Sequence, residues 1–336
     1  EHGVRLPYLD AVATTFIIDK HTVFLEFVKG NLDFMNSLDA SYKDELLTRT
    51  GQLKEKYRAD IRMESLPFLN TEYLGFYMDT LDGQKGINPL HDRRIRQAIN
   101  YGFDRRKMMK YLRNNIGYPG VYGFIPIGLP GGPNFKMAAA DAENPNPQHY
   151  GFEYNPDRSR QLLAEAGYPG GKGLPPITLS ATSSYLDLCR YIQQQLDLVG
   201  IKIKIDVNPP AALREQMAQG KSAWFRGSWI ADYPDAENYL SLFYSPNHAP
   251  AGPNYTHYTS EAYDQLYKKA KAETNGQRRA AMYHQMDSLL MDEAPVVVLY
   301  YDQILHFTHP NVKGLKSNAM NALDLRYVTI DNTIKE

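Results

Sequence analysis

Apolar and polar positions along residues 155–230 follow two alternating periods, and the switches between them outline a repeating unit. Leu188, Ile192, Leu196 and Val199 recur at spacings of four, four and three, which places them on one face of a helix ending at Gly200. Residues 201–207 (IKIKIDV) then alternate strictly, the mark of a half-buried strand. Before this pair, Asn155 and Pro156 supply an N-cap and a first-turn proline. Leu162, Leu163 and Ala166 follow on one side of that helix, and Gly167 stops it. Pro175 and Pro176 lead into a strand from Ile177 to Ser180. Residues 209–219 read as a further helix and Ser222 to Ile230 as the next strand. Strands and helices alternating through short links predict an α/β sheet.

The flanks add weaker signals. Phe16 to Asp19 reads as strand, His21 to Gly30 as a helix closed by glycine, and Leu32 to Leu38 as strand again. Met282, Met286, Leu289 and Leu290 form a helix stripe that belongs to the core. Residues 114–148 are rich in Gly, Pro and Asn without periodicity, the pattern of a long functional or mobile loop.

Length and composition narrow the function. With 336 residues and 43% hydrophobic content, the chain is long enough for two lobes, since single cores stop growing at roughly 250–300 residues. Its 37 basic and 38 acidic residues leave a net charge of -1, so no cationic face awaits a phosphate backbone, and nucleic acid is not an expected partner. No apolar stretch approaches the roughly 18–20 residues of a membrane span, and the sequence opens on Glu1, which predicts a soluble chain trimmed at its N terminus. The lone Cys189 precludes an internal disulfide and leaves the compartment open. The 25 tyrosines supply apolar area with polar tips, some of it suited to lining a site.

Candidate chemistry concentrates in residues 227–238 (GSWIADYPDAEN), just past the strand ending near Ile230. Ligands of open α/β sheets sit beyond the carboxyl ends of strands, so Asp232 is placed for a cleft. Asp232 and Asp235 as a hydrolytic pair would need to face each other across a substrate, which neighbours three apart on a proline turn seldom do. Asp235 reads best as a cap of the helix starting near Pro234. Asp232 is equally compatible with a turn role and with pairing to a ligand cation between Trp229 and Tyr233. The remaining constellations are structural. The arginines at 93, 94, 96, 105 and 106 read as solvated or paired around Asp92 and Asp104. His306 and His309, three apart in a strand-like context, point to opposite faces and give no metal site. Gly170 to Gly173 precedes a strand and lacks a phosphate-loop pattern.

Residues 229–235 (WIADYPD) resemble the W-x-A-D-Y-P-D segment of the family 5 extracellular solute-binding proteins, the peptide and oligopeptide receptors of ABC importers. Residues 73–77 (YLGFY) and 92–105 (DRRIRQAINYGFDR) are similar to a second, specific signature of that family. GNLDF at 30–34, NY at 254–255 ahead of AYDQL at 262–266, EAPVVVLYY at 293–301 and VKG at 312–314 follow in family order. The resemblance covers essentially the whole chain and implies a two-lobe, periplasmic-binding-protein-like α/β fold with a hinge. Residues 1–72 and 304–336 would form lobe one, residues 73–303 lobe two, with crossovers near Tyr73 and Gln303. A stretch that precedes this region in the family is missing here, so lobe one is expected to be incomplete and the chain to be the C-terminal part of a longer receptor.

The function implied is capture of a short peptide by lobe closure and delivery to a membrane ABC permease, without enzymatic turnover, cofactor or metal. Asp232 would meet the peptide's ammonium group, with Trp229, Tyr233, Asn254 and Tyr255 as walls; core packing or loop stapling is the competing role for those walls. The expected protein is a periplasmic or extracytoplasmic monomer, anchored as a lipoprotein if a lipidated cysteine lies upstream of Glu1. An oligosaccharide or other small solute as ligand, or a ligand-sensing role, are the alternatives.

Overall fold

Helices in this chain start where a short polar side chain takes up a first-turn amide. In the computed structural model, which describes residues 5–36, 42–81, 88–134, 150–331 and Thr333, Asp19 accepts from Thr22 N at 2.7 Å to open α1 (Lys20–Val28). The chain continues through β1 (Phe34–Asn36), α2 (Lys43–Leu46) and the long β2 (Arg62–Phe76). Asp92 accepts from Arg94 N at 2.9 Å ahead of α3 (Arg93–Tyr101), followed by α4 (Arg105–Leu112) and β3 (Tyr118–Pro119). Asn155 then caps α5 (Pro156–Glu165) through Arg158 N at 3.0 Å, with Pro156 in the first turn and Gly167 at φ +91° beyond its end. Next come β4 (Ile177–Ala181), α6 (Leu186–Asp197), β5 (Ile203–Val207), α7 (Pro210–Ala218) and β6 (Trp224–Ile230). A short α8 (Glu237–Leu240) leads to α9 (Glu261–Ala272) and α10 (Gly276–Glu293), and the chain closes with β7 (Val296–Thr308), β8 (Val312–Lys313) and β9 (Thr329–Ile330).

The chain divides into two units. The larger comprises Leu69–Leu112 and Tyr118–Tyr301. Its sheet runs in the order β7, β2, β6, β4, β5, with β3 paired on β7. β6 is antiparallel to β2 and parallel to β4, and β4 is parallel to β5. The helix faces read from the sequence meet here: Leu162, Leu163, Leu188, Ile192, Leu196 and Val199 share one buried cluster with Leu179 and Trp224. β5 carries its alternation into burial, Ile203 inward and Lys204 out.

The smaller unit comprises Glu1–Phe68, Arg113–Gly117 and Asp302–Glu336. Phe24, Phe27, Met35, Leu46, Leu305 and Phe307 form its core, with Phe24 stacked on Tyr42 at 5.0 Å between ring centroids. β1 pairs antiparallel with the end of β7, Phe34 opposite Thr308. Residues 113–117, inside the segment expected to be wholly lobe two, belong to this unit for a polar reason. Asn114 donates to Asp44 at 2.8 Å and accepts from Lys43 at 2.9 Å, while Arg113 pairs with Asp302 at 2.8 Å.

Several sequence expectations change. Residues 11–18 are irregular, and Phe16 and Ile18 are 93% and 97% exposed, so the apolar pattern there does not become a strand among the described residues. The expected strand at 32–38 is confined to Phe34–Asn36, with residues 37 and 38 outside the described set. The described part of the 114–148 loop is packed instead of loose: Val121, Tyr122, Phe124, Ile125 and Ile127 are buried although almost none of it is regular. Residues 135–148 lie outside the described residues. The buried Asp287 carboxylate of α10 holds this stretch, accepting from Phe124 N at 2.6 Å, Ile125 N at 3.3 Å and Tyr150 OH at 2.8 Å. Gly123 permits that approach, because a Cβ there would fall 1.9 Å from an Asp287 oxygen.

The arginine-rich segment divides in two. Arg94 pairs with Asp92 at 2.7 Å and Arg93 with Asp292 at 2.7 Å, as a charged surface would. Arg96 and Arg105, each 2% exposed, instead reach main-chain oxygens. Arg96 donates to the carbonyls of Ala294, Leu90, His91 and Glu293. Arg105 donates to the carbonyls of Val298, Asn100 and Phe152 and to the Asn100 side chain. Burial pushes both guanidinium groups down to about 10, so they stay charged near neutral pH while carbonyl dipoles replace lost water.

Candidate functional site

β6 leaves the sheet at Ile230, and the turn after it is closed from the far side by Asn238 on α8. Asn238 is buried, and its Oδ1 accepts from Trp229 Nε1 at 2.8 Å and from Asp232 N at 3.1 Å. Its Nδ2 donates to Asp232 Oδ2 at 3.2 Å. Asp232 therefore projects into solvent past a strand end, with one neutral donor among the described side chains. Asp235 does what the turn chemistry predicts, accepting from Glu237 N at 2.9 Å, and also pairs with Arg279 at 3.3 Å. Asp232 and Asp235 thus serve separate partners.

Tyr233 is 45% exposed and donates its hydroxyl to Glu237, which also takes the Tyr267 hydroxyl. Partial burial and the Glu237 carboxylate both hold the Tyr233 phenol above its ordinary range. Trp229 is half-buried with its indole N–H already bonded, leaving ring surface to offer. Tyr73 packs across β6 at Gly227, where a Cβ would lie 2.6 Å from the tyrosine ring. Burial, then the nearby Tyr255, raises the Tyr73 phenol far above its usual value. Trp229, two residues beyond Gly227, shares that face of the strand.

Asn254 has a different position. It is fully buried, its Nδ2 donates to the Tyr244 and Tyr258 carbonyls at 3.3 and 3.1 Å, and its Oδ1 accepts from Thr256 at 2.9 Å. These bonds staple the loop around residues 244–258, the competing role named for it. Tyr255 remains half-buried beside this staple.

A second polar cluster escaped the sequence reading. Glu72 on β2 and Arg226 on β6 form a buried ion pair, 4% and 13% exposed at their side chains. Asn70 Nδ2 and Tyr185 OH both donate to Glu72, at 3.1 and 3.4 Å, and the Tyr185 ring lies 3.5 Å from the Arg226 guanidinium carbon. Burial, the largest single influence, lowers the Arg226 guanidinium, but Glu72 together with Tyr185 and Tyr300 more than offsets it and the group rises above its ordinary value. The available signal was a carboxylate inside an otherwise uncharged stretch of β2, LNTEYLGF at 69–76. Among the described residues no group of three or more His, Cys, Asp and Glu is arranged to hold a metal ion. His306 bonds Ser317 and Asn321, whereas His309 bonds the carbonyls of Asp60 and Phe27. No helix among the described residues is long and apolar enough to cross a membrane.

Comparison with known proteins agrees with this architecture. Residues 2–251 match the bacterial extracellular solute-binding proteins, family 5. A dipeptide-binding protein, DppE, of Bacillus subtilis is 26% identical over 328 residues, which are 95% of this chain and 54% of the relative. A glutathione-binding protein, GsiB, of Shigella flexneri is 24% identical over 92% of the chain and 56% of its own length. The chain thus spans about half the length of the curated relatives it matches. Among solved structures, the periplasmic binding protein DppA from Helicobacter pylori, in complex with peptide STSA, superposes with a TM-score of 0.73 at 22% identity, covering 94% of this chain and 56% of that one. AgaA from A. tumefaciens R10, in complex with agropinic acid, gives 0.73 at 20% identity, covering 97% and 62%. Both likenesses concern the fold, which is that of the periplasmic binding proteins.

Proposed function

Because the chain belongs to the family 5 bacterial extracellular solute-binding proteins, we propose that it is the major part of an extracytoplasmic receptor that captures short peptides and hands them to an ABC permease. The observation that carries this reading is Asp232, an exposed carboxylate just past a strand end whose one donor among the described side chains is an uncharged amide. Such a group offers full negative charge to a peptide ammonium. Trp229 and Tyr233 on either side would exclude water and strengthen the pair. Losing one partner of a desolvated pair of this kind costs on the order of 2–5 kcal/mol. Main-chain donors and acceptors would match the peptide backbone with little demand on its sequence, and hydrated pockets would adapt to its side chains.

Binding would proceed by hinge closure, the motion characteristic of periplasmic binding proteins. The ligand is held and released unchanged, by a monomer that is membrane-anchored if its gene supplies an upstream lipidation site. Peptides are also the ligands named for several relatives, including DppE and the Escherichia coli dipeptide-binding protein. One observation favours a second reading: a neighbour of the same fold holds agropinic acid. A polar small solute stacked on Trp229 and Tyr233 is therefore the competing ligand, in a transport or sensing role. Calorimetric titration with a mixed library of short peptides separates the two. Peptide binding with no response to oligosaccharides or opine-like acids supports the first reading, and the reverse pattern replaces it with the second.

A further inference from the structure

Asn238 connects three parts of the site through one carboxamide. An indole N–H and a main-chain N–H can only donate, so the atom facing Trp229 Nε1 at 2.8 Å and Asp232 N at 3.1 Å must be the amide oxygen. The amide nitrogen is then forced toward Asp232 Oδ2, at 3.2 Å. Its orientation is fixed by chemistry on both sides, and its 4% exposure keeps water from competing.

The geometry points to Asn238 as the positioning residue that presets Asp232 for a ligand cation. The inference rests on the reading of Asp232 as the ammonium partner. A neutral amide suits this task in a way a cation would not. It steers one carboxylate oxygen by hydrogen bonding while leaving the negative charge uncompensated, so no resident counterion has to be displaced. Oδ1 of Asp232 has no protein donor among the described residues and is left to the ligand. The same amide ties the Trp229 ring to the turn, so the wall and the charge are set together. Holding a group in its bound orientation beforehand reduces the ordering cost of binding.

A double-mutant cycle in the full-length gene product tests this, using a mixed short-peptide library in free and N-acetylated forms and following the ratio of the two affinities. Asp232→Asn should bring the ratio close to one. Asn238→Ala should lower it about tenfold, the usual worth of a hydrogen bond to a charged group. In the double variant Asn238→Ala should add nothing further. Trp229 emission should shift in Asn238→Ala as its N–H loses its acceptor. Asn238→Ser, which restores a small polar group, provides the same comparison if the alanine variant does not fold. A purely structural Asn238 would weaken free and acetylated peptides equally and leave the ratio unchanged, overturning the inference while the Asp232 reading stands. A ratio unaffected by Asp232→Asn would overturn both.

Discussion

Glu72 and Asp232 flank the same strand and are equipped in opposite ways. Glu72, opposite Ser228 in the β2–β6 register, is buried, neutralised by Arg226, and bonded further by Asn70 and Tyr185. Asp232, two residues beyond the end of β6, is exposed and, among the described side chains, bonded by an amide alone. The first carboxylate is committed to the fold, and the second is the one proposed above to meet a ligand. Asp287 is a third case, buried with no cationic partner among the described residues and bonded to two main-chain N–H groups and a tyrosine. What distinguishes a carboxylate available to a ligand is therefore the charge and number of its resident partners, and acidity alone says little.

That contrast can be broken most severely at Glu72. Glu72→Ala should destabilise the protein by about 3–5 kcal/mol in chemical denaturation, because it strands a buried guanidinium. Replacing Glu72 and Arg226 together by leucine and methionine should recover most of that loss. Asp232→Asn should do the opposite, leaving stability within about 0.5 kcal/mol of the parent while weakening free peptides by about 2–5 kcal/mol. Equal stability losses in the two single variants would erase the distinction.

Asp287 sharpens the comparison through pH. Burial raises its carboxyl from 3.8 to about 7, against the lowering influence of its three donors. The folded state then keeps a proton that the unfolded chain releases, so this group's contribution to stability is full below about 4, falls as pH rises toward about 7, and is flat above. The decline should be on the order of 4 kcal/mol, and Asp287→Asn should flatten that part of the stability profile. An unchanged slope would show that Asp287 stays ionised in the fold. Tyr255→Phe, at the edge of the stapled loop, should change peptide affinity less than twofold, the smallest effect among these.

Much of the larger unit was legible because its burial is periodic. Leu188, Ile192, Leu196 and Val199 required only a 3.6-residue period, and residues 203–207 only a period of two. Asn155 and Asp235 were legible through local turn chemistry. What stayed hidden depended on partners far along the chain. Arg105 looks like a surface cation until the carbonyl of Val298, 193 residues away, is brought beside it. The aperiodic residues 121–127 are core because a carboxylate on α10 gathers their amides. Asn238 carried no signal of its own, being one polar residue six positions past a recognisable acid. Phe16 and Ile18 show the converse, an apolar pattern with no strand to join among the described residues.

The most direct test of the account is calorimetric titration of the full-length gene product and its Asp232→Asn variant with the same short peptides, free and N-acetylated. The account predicts that the parent binds free peptides and loses about 30-fold or more on acetylation, while the variant binds both forms equally weakly. Equal affinity of the parent for free and acetylated peptides would contradict it.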